Sequence, residues 1–224
     1  MPGVQVNKTK SLKIALDVAL AAVLVALMAT ALVQEAPHEW LGVASFALVI
    51  VHIVLNRRWL ASIVRVRPDS LRVLQLIVLA GLVICVVGQI ASSLVISKHA
   101  FGFLPALPGA AWARRVHMMC SYWMFMFAFM HAGFHVRVPR GMPSWLVWAG
   151  RIVLVGIGCI GAFSFVQLGM PSYLLGQVQF AYADSSVSIA VTMARYASVA
   201  VLVAGLSHYV RVGIVVAHRK MRKG

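Results

Sequence analysis

Apolar runs of about 20 residues recur along this 224-residue chain, separated by short polar clusters; that length suits a helix crossing a hydrocarbon core roughly 30 Å thick. Six such spans are expected, over residues 14–33, 38–56, 73–96, 114–136, 146–168 and 190–216. Apolar and polar residues do not alternate at period two within them, so the backbone must be satisfied by helices and not by a closed barrel. The expected fold is therefore all-α, a single polytopic membrane domain of six helices. The first span is not read as a cleaved leader, because it lacks a small-x-small exit and runs straight into "QEAPHEW".

No connection between spans is long enough for a soluble domain. "NRRWLASIVRVRPDSLR" is expected to form a short interfacial helix with Trp59 at headgroup depth. "SKHAFGFLPALPGAAWARR", with two prolines and two glycines, reads as an irregular loop, and "LGMPSYLLGQVQFAYADSS" as a second connection on the same side. The connections hold no GxGxxG or Walker pattern, so nothing supports a bound nucleotide.

The polar residues inside the spans carry the chemistry, since a polar group in hydrocarbon is costly. The second span holds His38 and His52, and the fourth holds His117 and His131; 52 − 38 and 131 − 117 both equal 14. Fourteen residues at about 100° each return to within roughly 40° of one face and rise about 21 Å. One span separates the two helices, so they run in the same direction and pair His38 with His117 at the outer level and His52 with His131 at the inner level. Two imidazoles facing across a bundle are the axial ligands of a six-coordinate b-type haem. Four of them give a cytochrome-b-like bundle with two non-covalent haems b.

Taken alone, a histidine near the end of a membrane helix is more often an interfacial polar residue than a metal ligand; the repeated interval at matching depth changes that balance. Zinc or copper is disfavoured because no carboxylate or thiol joins the same layers. Gly42, Ser45 and Val49 share the face of the first pair, and Ser121, Met124 and Ala128 that of the second; several are small, as a flat macrocycle between helices requires. His135, one turn beyond His131, is an alternative inner ligand or a propionate partner. His99 is either a surface residue or a group at the exposed edge of the outer haem. His208 reads as packing and His218 as part of a solvated basic tail.

Other intramembrane polar groups are few. Asp17 has as its expected partner Lys13, four residues earlier, or a histidine at the inner level. Gln75 and Gln89 read as helix bridges, although a quinone pocket beside a haem would need such donors. Arg57/Arg58 and Arg114/Arg115 are interfacial anchors near the two haem levels, where guanidinium groups also suit propionates.

A hydrophobic fraction of 62% with 11% charged residues agrees with the membrane reading. The net charge of +15 points first to nucleic acid, but its distribution argues otherwise. Lys8, Lys10, Lys13, Arg57, Arg58, Arg65, Arg67, Arg72, Arg137, Arg140, Arg151, Arg211, Arg219, Lys220, Arg222 and Lys223, which are 16 of the 20 basic residues, fall on one side. Lys98, Arg114, Arg115 and Arg195 fall on the other, with Glu35, Glu39 and Asp184. The positive-inside rule then places both termini in the cytoplasm, and the excess charge is a topology signal that also favours anionic lipid. Cys85, Cys120 and Cys159 are expected to be small core residues; no CxxCH is present, which excludes covalent haem c.

"LKIALDVALAAVLVALMATALVQEAPHEWLGVASFALVIVHIVLNRRW", followed by "ISKHAFGFLP" and "RRVHMMCSYWMFMFAFMHAGFHV", resembles the flavinylation-associated cytochrome family of bacterial membrane proteins. The resemblance is close over the first four spans, and "HEWLG" with "HIVLNRRW" is its most specific part. It implies a haem-containing cytochrome of the bacterial inner membrane that passes electrons to an extracytoplasmic flavoprotein bearing covalent FMN. The family's histidines carry over to His38, His52, His117, His131, His135 and His99, with Lys98 where arginine is usual. A quinol or a cytoplasmic protein is the expected electron donor. The rival readings are a non-redox transporter or assembly factor with histidines in proton relay, and the membrane subunit of a quinol or ferric reductase. No span has an interior proline, which disfavours the broken helices of transporters.

Overall fold

The computed structural model describes residues 8–30, 35–65, 69–105, 107–137, 141–181 and 186–221. Val33 at the expected end of the first span, and Arg67, Arg140, Asp184, Arg222 and Lys223 of the charge asymmetry, lie outside the described residues. Seven helices follow one another: α1 (Lys8–Thr30), α2 (Glu35–Arg65), α3 (Ser70–Ile96), α4 (Ala110–His135), α5 (Ser144–Gln167), the short α6 (Met170–Leu174) and α7 (Ile189–Met221). Among the described residues there is no strand.

Five of these helices, α1, α2, α3, α5 and α7, are long and apolar enough to cross a membrane. The helix of the fourth expected span, α4, has 26 residues but is less apolar, because Arg114, Arg115, His117, His131 and His135 lie within it. The expected interfacial helix after the second span does not exist as a separate element. α2 continues to Arg65, since "NRRWLASIVR" contains no proline or glycine to stop it, and Trp59 rides on its last turns. The described residues of 97–109 contain no helix, as the prolines and glycines of that stretch predict. α3 starts where the Asp69 carboxylate accepts from the Arg72 amide at 2.8 Å, a helix cap. α4 starts at Gly109, whose φ of 102° a side chain would not tolerate.

α7 is the central post, packing on α4, α5 and α1, while α3 packs on α4 and α1 on α2. Two of these contacts are backbone-close. A methyl on Gly133 would run into the Ala204 backbone of α7, and one on Gly161 into the Ser198 backbone, which is how small residues let membrane-type helices approach. Around these crossings Phe125, Met170 and Val199 are fully buried, with Tyr122, Tyr173 and Tyr196 beside them. Cys85 and Cys120 are buried at the α3–α4 contact; Cys159, expected in the core, is on the exposed face of α5.

α2 differs from the rest. It leans on α1 and makes at most marginal backbone contact with any other helix, and no residue of its apolar window is buried. A slot therefore separates α2 from α3 and α4.

Candidate functional site

The slot opens into a cavity of about 530 Å³ between α1, α2, α3 and α4, reaching Tyr196 of α7. Gly42 and Ser45 of α2 and Ser121 and Met124 of α4, read from sequence as small or flexible spacers on the histidine faces, all line it. A methyl group added at Gly42 would meet nothing within 4 Å. Leu24, Leu27, Phe46 and Met118 make most of the wall apolar, and Arg114, Lys98 and Glu35 bring charge to the rim.

His38 and His117 face each other across this cavity, with ring centres 6.3 Å apart and ring planes at 65°. The His117 Nδ1 lies 3.4 Å from both the Ser92 and the Ser93 hydroxyls, so its other nitrogen is free for the cavity. The peptide of His117 is held as well: Gln89 Nε2 donates to its carbonyl at 3.0 Å and also bonds the Ser121 hydroxyl. Gln89 is thus the helix bridge expected of it. The His38 Nδ1 is buried without a hydrogen-bond partner, beside the Leu27 carbonyl.

At the other end of α2 the four expected participants are arranged differently. His52 Nδ1 bonds the Asp17 carboxylate at 2.8 Å. Lys13, the alternative partner of Asp17, reaches instead to Asn56 Oδ1 at 3.0 Å. The structure does not bring the His52 and His131 rings into contact. Trp59 sets its edge against His131 and His135, with ring centres 5.8 and 5.3 Å away, and those two histidines are 4.8 Å from one another.

His99 does not line the cavity. Its side chain is exposed, 4.0 Å from the Glu35 carboxylate. Arg114 points over the Phe180 ring at 5.5 Å, on the cavity rim. His208 packs on Tyr209 as expected, and its Nδ1 is buried and unpartnered. His218, expected to be solvated, shares a hydrogen bond with the Ser70 hydroxyl at 3.3 Å. Ser92 and Ser93 escaped the sequence reading because serine in a membrane helix ordinarily satisfies itself on its own backbone, as Ser92 also does on Gly88.

Fold and site together define an all-helical, multi-pass protein of membrane type whose interhelical cavity is bridged by a pair of imidazoles. No family model, curated protein or solved structure matches the chain. Among the described residues no group of three or more His, Cys, Asp or Glu is placed to hold a metal ion.

Proposed function

We propose that this chain is a b-type cytochrome of the flavinylation-associated kind, carrying electrons across the bacterial inner membrane. In this reading α4 is the sixth span, both termini are cytoplasmic, and the outer connections dock an FMN-bearing flavoprotein; a quinol or a cytoplasmic protein is the donor. The observation that carries the proposal is the His38–His117 pair set across a cavity between α1, α2, α3 and α4.

The dimensions support it. Imidazole nitrogens bind first-row metals at about 2.0–2.1 Å. The centre of a five-membered ring with bonds of roughly 1.35 Å is about 1.1 Å from each nitrogen. Two imidazoles in line on one metal therefore have ring centres roughly 6.3 Å apart, and the observed separation is 6.3 Å. The donor set also fits: two facing imidazoles suit a macrocycle that fills the remaining coordination itself. Bound there, haem would supply one-electron chemistry between ferric and ferrous iron.

The chain's own residues do the rest. Ser92 and Ser93 hold His117 through its Nδ1, which fixes the ring and leaves Nε2 to the cavity. Arg114, free of any carboxylate partner among the described contacts, is placed at the rim for a propionate. Leu24, Leu27 and Phe46 give the slot an apolar wall against which a macrocycle could pack. At the inner level Asp17 orients His52 as a carboxylate orients a metal-bound imidazole. A second haem at this level would be held by His52 and by His131 or His135; here Trp59 lies against both of the latter rings, so the inner level is less open than the outer one.

A reduced-minus-oxidised spectrum of protein purified from haem-replete cells tests the class. Sharp α bands are expected, with two haems per chain by pyridine haemochrome. His117→Ala and His52→Ala should each remove one haem, and His218→Ala none. A colourless preparation, or full haem in the first two variants, would overturn the proposal.

A further inference from the structure

Because the α2 backbone makes at most marginal contact with α3 and α4, and Trp59 packs on α4 only at the inner end, side-chain links must set the width of the slot at its outer end. Near the outer end of α2, one residue from His38, the Glu39 carboxylate accepts four hydrogen bonds from the turn that follows α3. Ser97 Oγ donates at 2.6 Å, and the successive backbone amides of Lys98, His99 and Ala100 donate at 3.0, 2.9 and 2.8 Å. Three consecutive amides converging on one anion form a nest, and bonds to an ionised acceptor are roughly twice as strong as neutral ones. The neighbouring link, Lys98 to Glu35, joins two side chains that are each 66% exposed, so solvent screens it.

We infer that Glu39 is the positioning residue of the outer metal site: it pins the outer end of α2 to the α3 turn and so holds His38 at the distance from His117 that a shared iron requires. The inference rests on the haem reading of the slot for its purpose, but the tether itself is a property of the protein. Helix α2 is continuous from Glu35, so a single fixed carboxylate transmits its position to the adjoining imidazole. The His38 Nδ1 makes no well-formed hydrogen bond and has only the Leu27 carbonyl beside it, whereas His117 is held by two serines and the Gln89 bridge. The two ligands are thus located by different means: one by its own ring contacts, the other through its neighbour in sequence.

Glu39→Gln keeps the shape but presents an amide to four donors, of which its single oxygen can serve only some. Two measurements decide the matter. The first uses spin labels at Ala44→Cys on α2 and Ala91→Cys on α3, both exposed, in a Cys159→Ser background. In haem-free protein a single narrow distance is expected with Glu39 in place, and a broadened one in the Glu39→Gln variant. The second is haem titration. Outer-site affinity should fall on the order of tenfold in Glu39→Gln, with part of the remaining outer haem becoming high-spin, and inner-site affinity should not change. An unbroadened distance with unchanged outer-site affinity and spin state overturns the inference. If Glu39→Gln does not accumulate, Ser97→Ala removes one of the four bonds and should shift both readouts in the same direction by less; no shift overturns it. Should His117→Ala retain all haem, the cytochrome reading fails, and the spin-label distance alone then decides whether Glu39 tethers α2.

Discussion

Gly42 offers a test in which stability and cofactor binding should move in opposite directions. It lines the slot on the His38 face of α2, and a methyl group added there meets no atom within 4 Å. Gly42→Leu should therefore be accommodated in the cavity of the haem-free protein. Its main effect on the fold is local: replacing glycine by leucine within a helix is worth somewhat under about 1 kcal/mol of propensity in favour of the variant. The same isobutyl group fills the space one turn from His38 that a macrocycle would occupy, and overpacking a filled site costs about 1–3 kcal/mol. By the equivalence of 1.4 kcal/mol to tenfold, outer-site haem affinity should fall by about 5- to 150-fold. The assay is denaturant unfolding of haem-free protein in detergent, paired with haem titration of the outer site in a His52→Ala background. Retention of full outer-site affinity would show that iron is not held between α2 and α4. Destabilisation of the haem-free variant by more than about 1 kcal/mol would show that the slot is closed in solution.

Gly133→Ala is the counterpart on the packed side of α4: its methyl meets the Ala204 backbone, so α4 and α7 must separate, and unfolding measurements should show a loss of about 1–3 kcal/mol or more with both haems still bound. Gln89→Leu keeps the volume but removes the donor to the His117 carbonyl; a loss of about 1 kcal/mol is expected, with a change in the outer haem spectrum that a purely structural bridge would not produce. Asp17→Asn leaves a hydrogen bond to His52 but removes the charge that, in the haem reading, would make the imidazole a stronger donor to ferric iron. Asp17 is 55% exposed, so the effect is that of a screened pair, about 0.2–1 kcal/mol. A one-electron couple converts this to an inner-haem potential raised by roughly 10–40 mV in redox titration; a fall would contradict the assignment.

The class of the protein is local information. Runs of apolar residues without period-two alternation dictate helices wherever they occur, and the breakers "FGFLPALPG" and "PRGMP" interrupt them where the chain turns. The equal spacing of His38–His52 and His117–His131 is likewise visible without any fold, because a helix converts an interval in sequence directly into a direction and a height. Where local signals ended, so did foresight. The extension of α2 past the basic cluster to Arg65 came from the absence of a stop signal, which a reading focused on membrane-length runs passes over.

Only the packing of the helices decided the rest. That α2 stands off from α3 and α4, that Asp17 chooses His52 over Lys13, that Trp59 meets both His131 and His135, and that Glu39 caps a turn some 60 residues away are all contacts between distant parts of the chain. A helix's periodicity says which side chains share a face; it carries no record of the neighbour that face will meet or of the gap left between them. The residue types able to ligate iron were written into the spans, whereas the 6.3 Å that makes two of them a pair exists only once the bundle has closed.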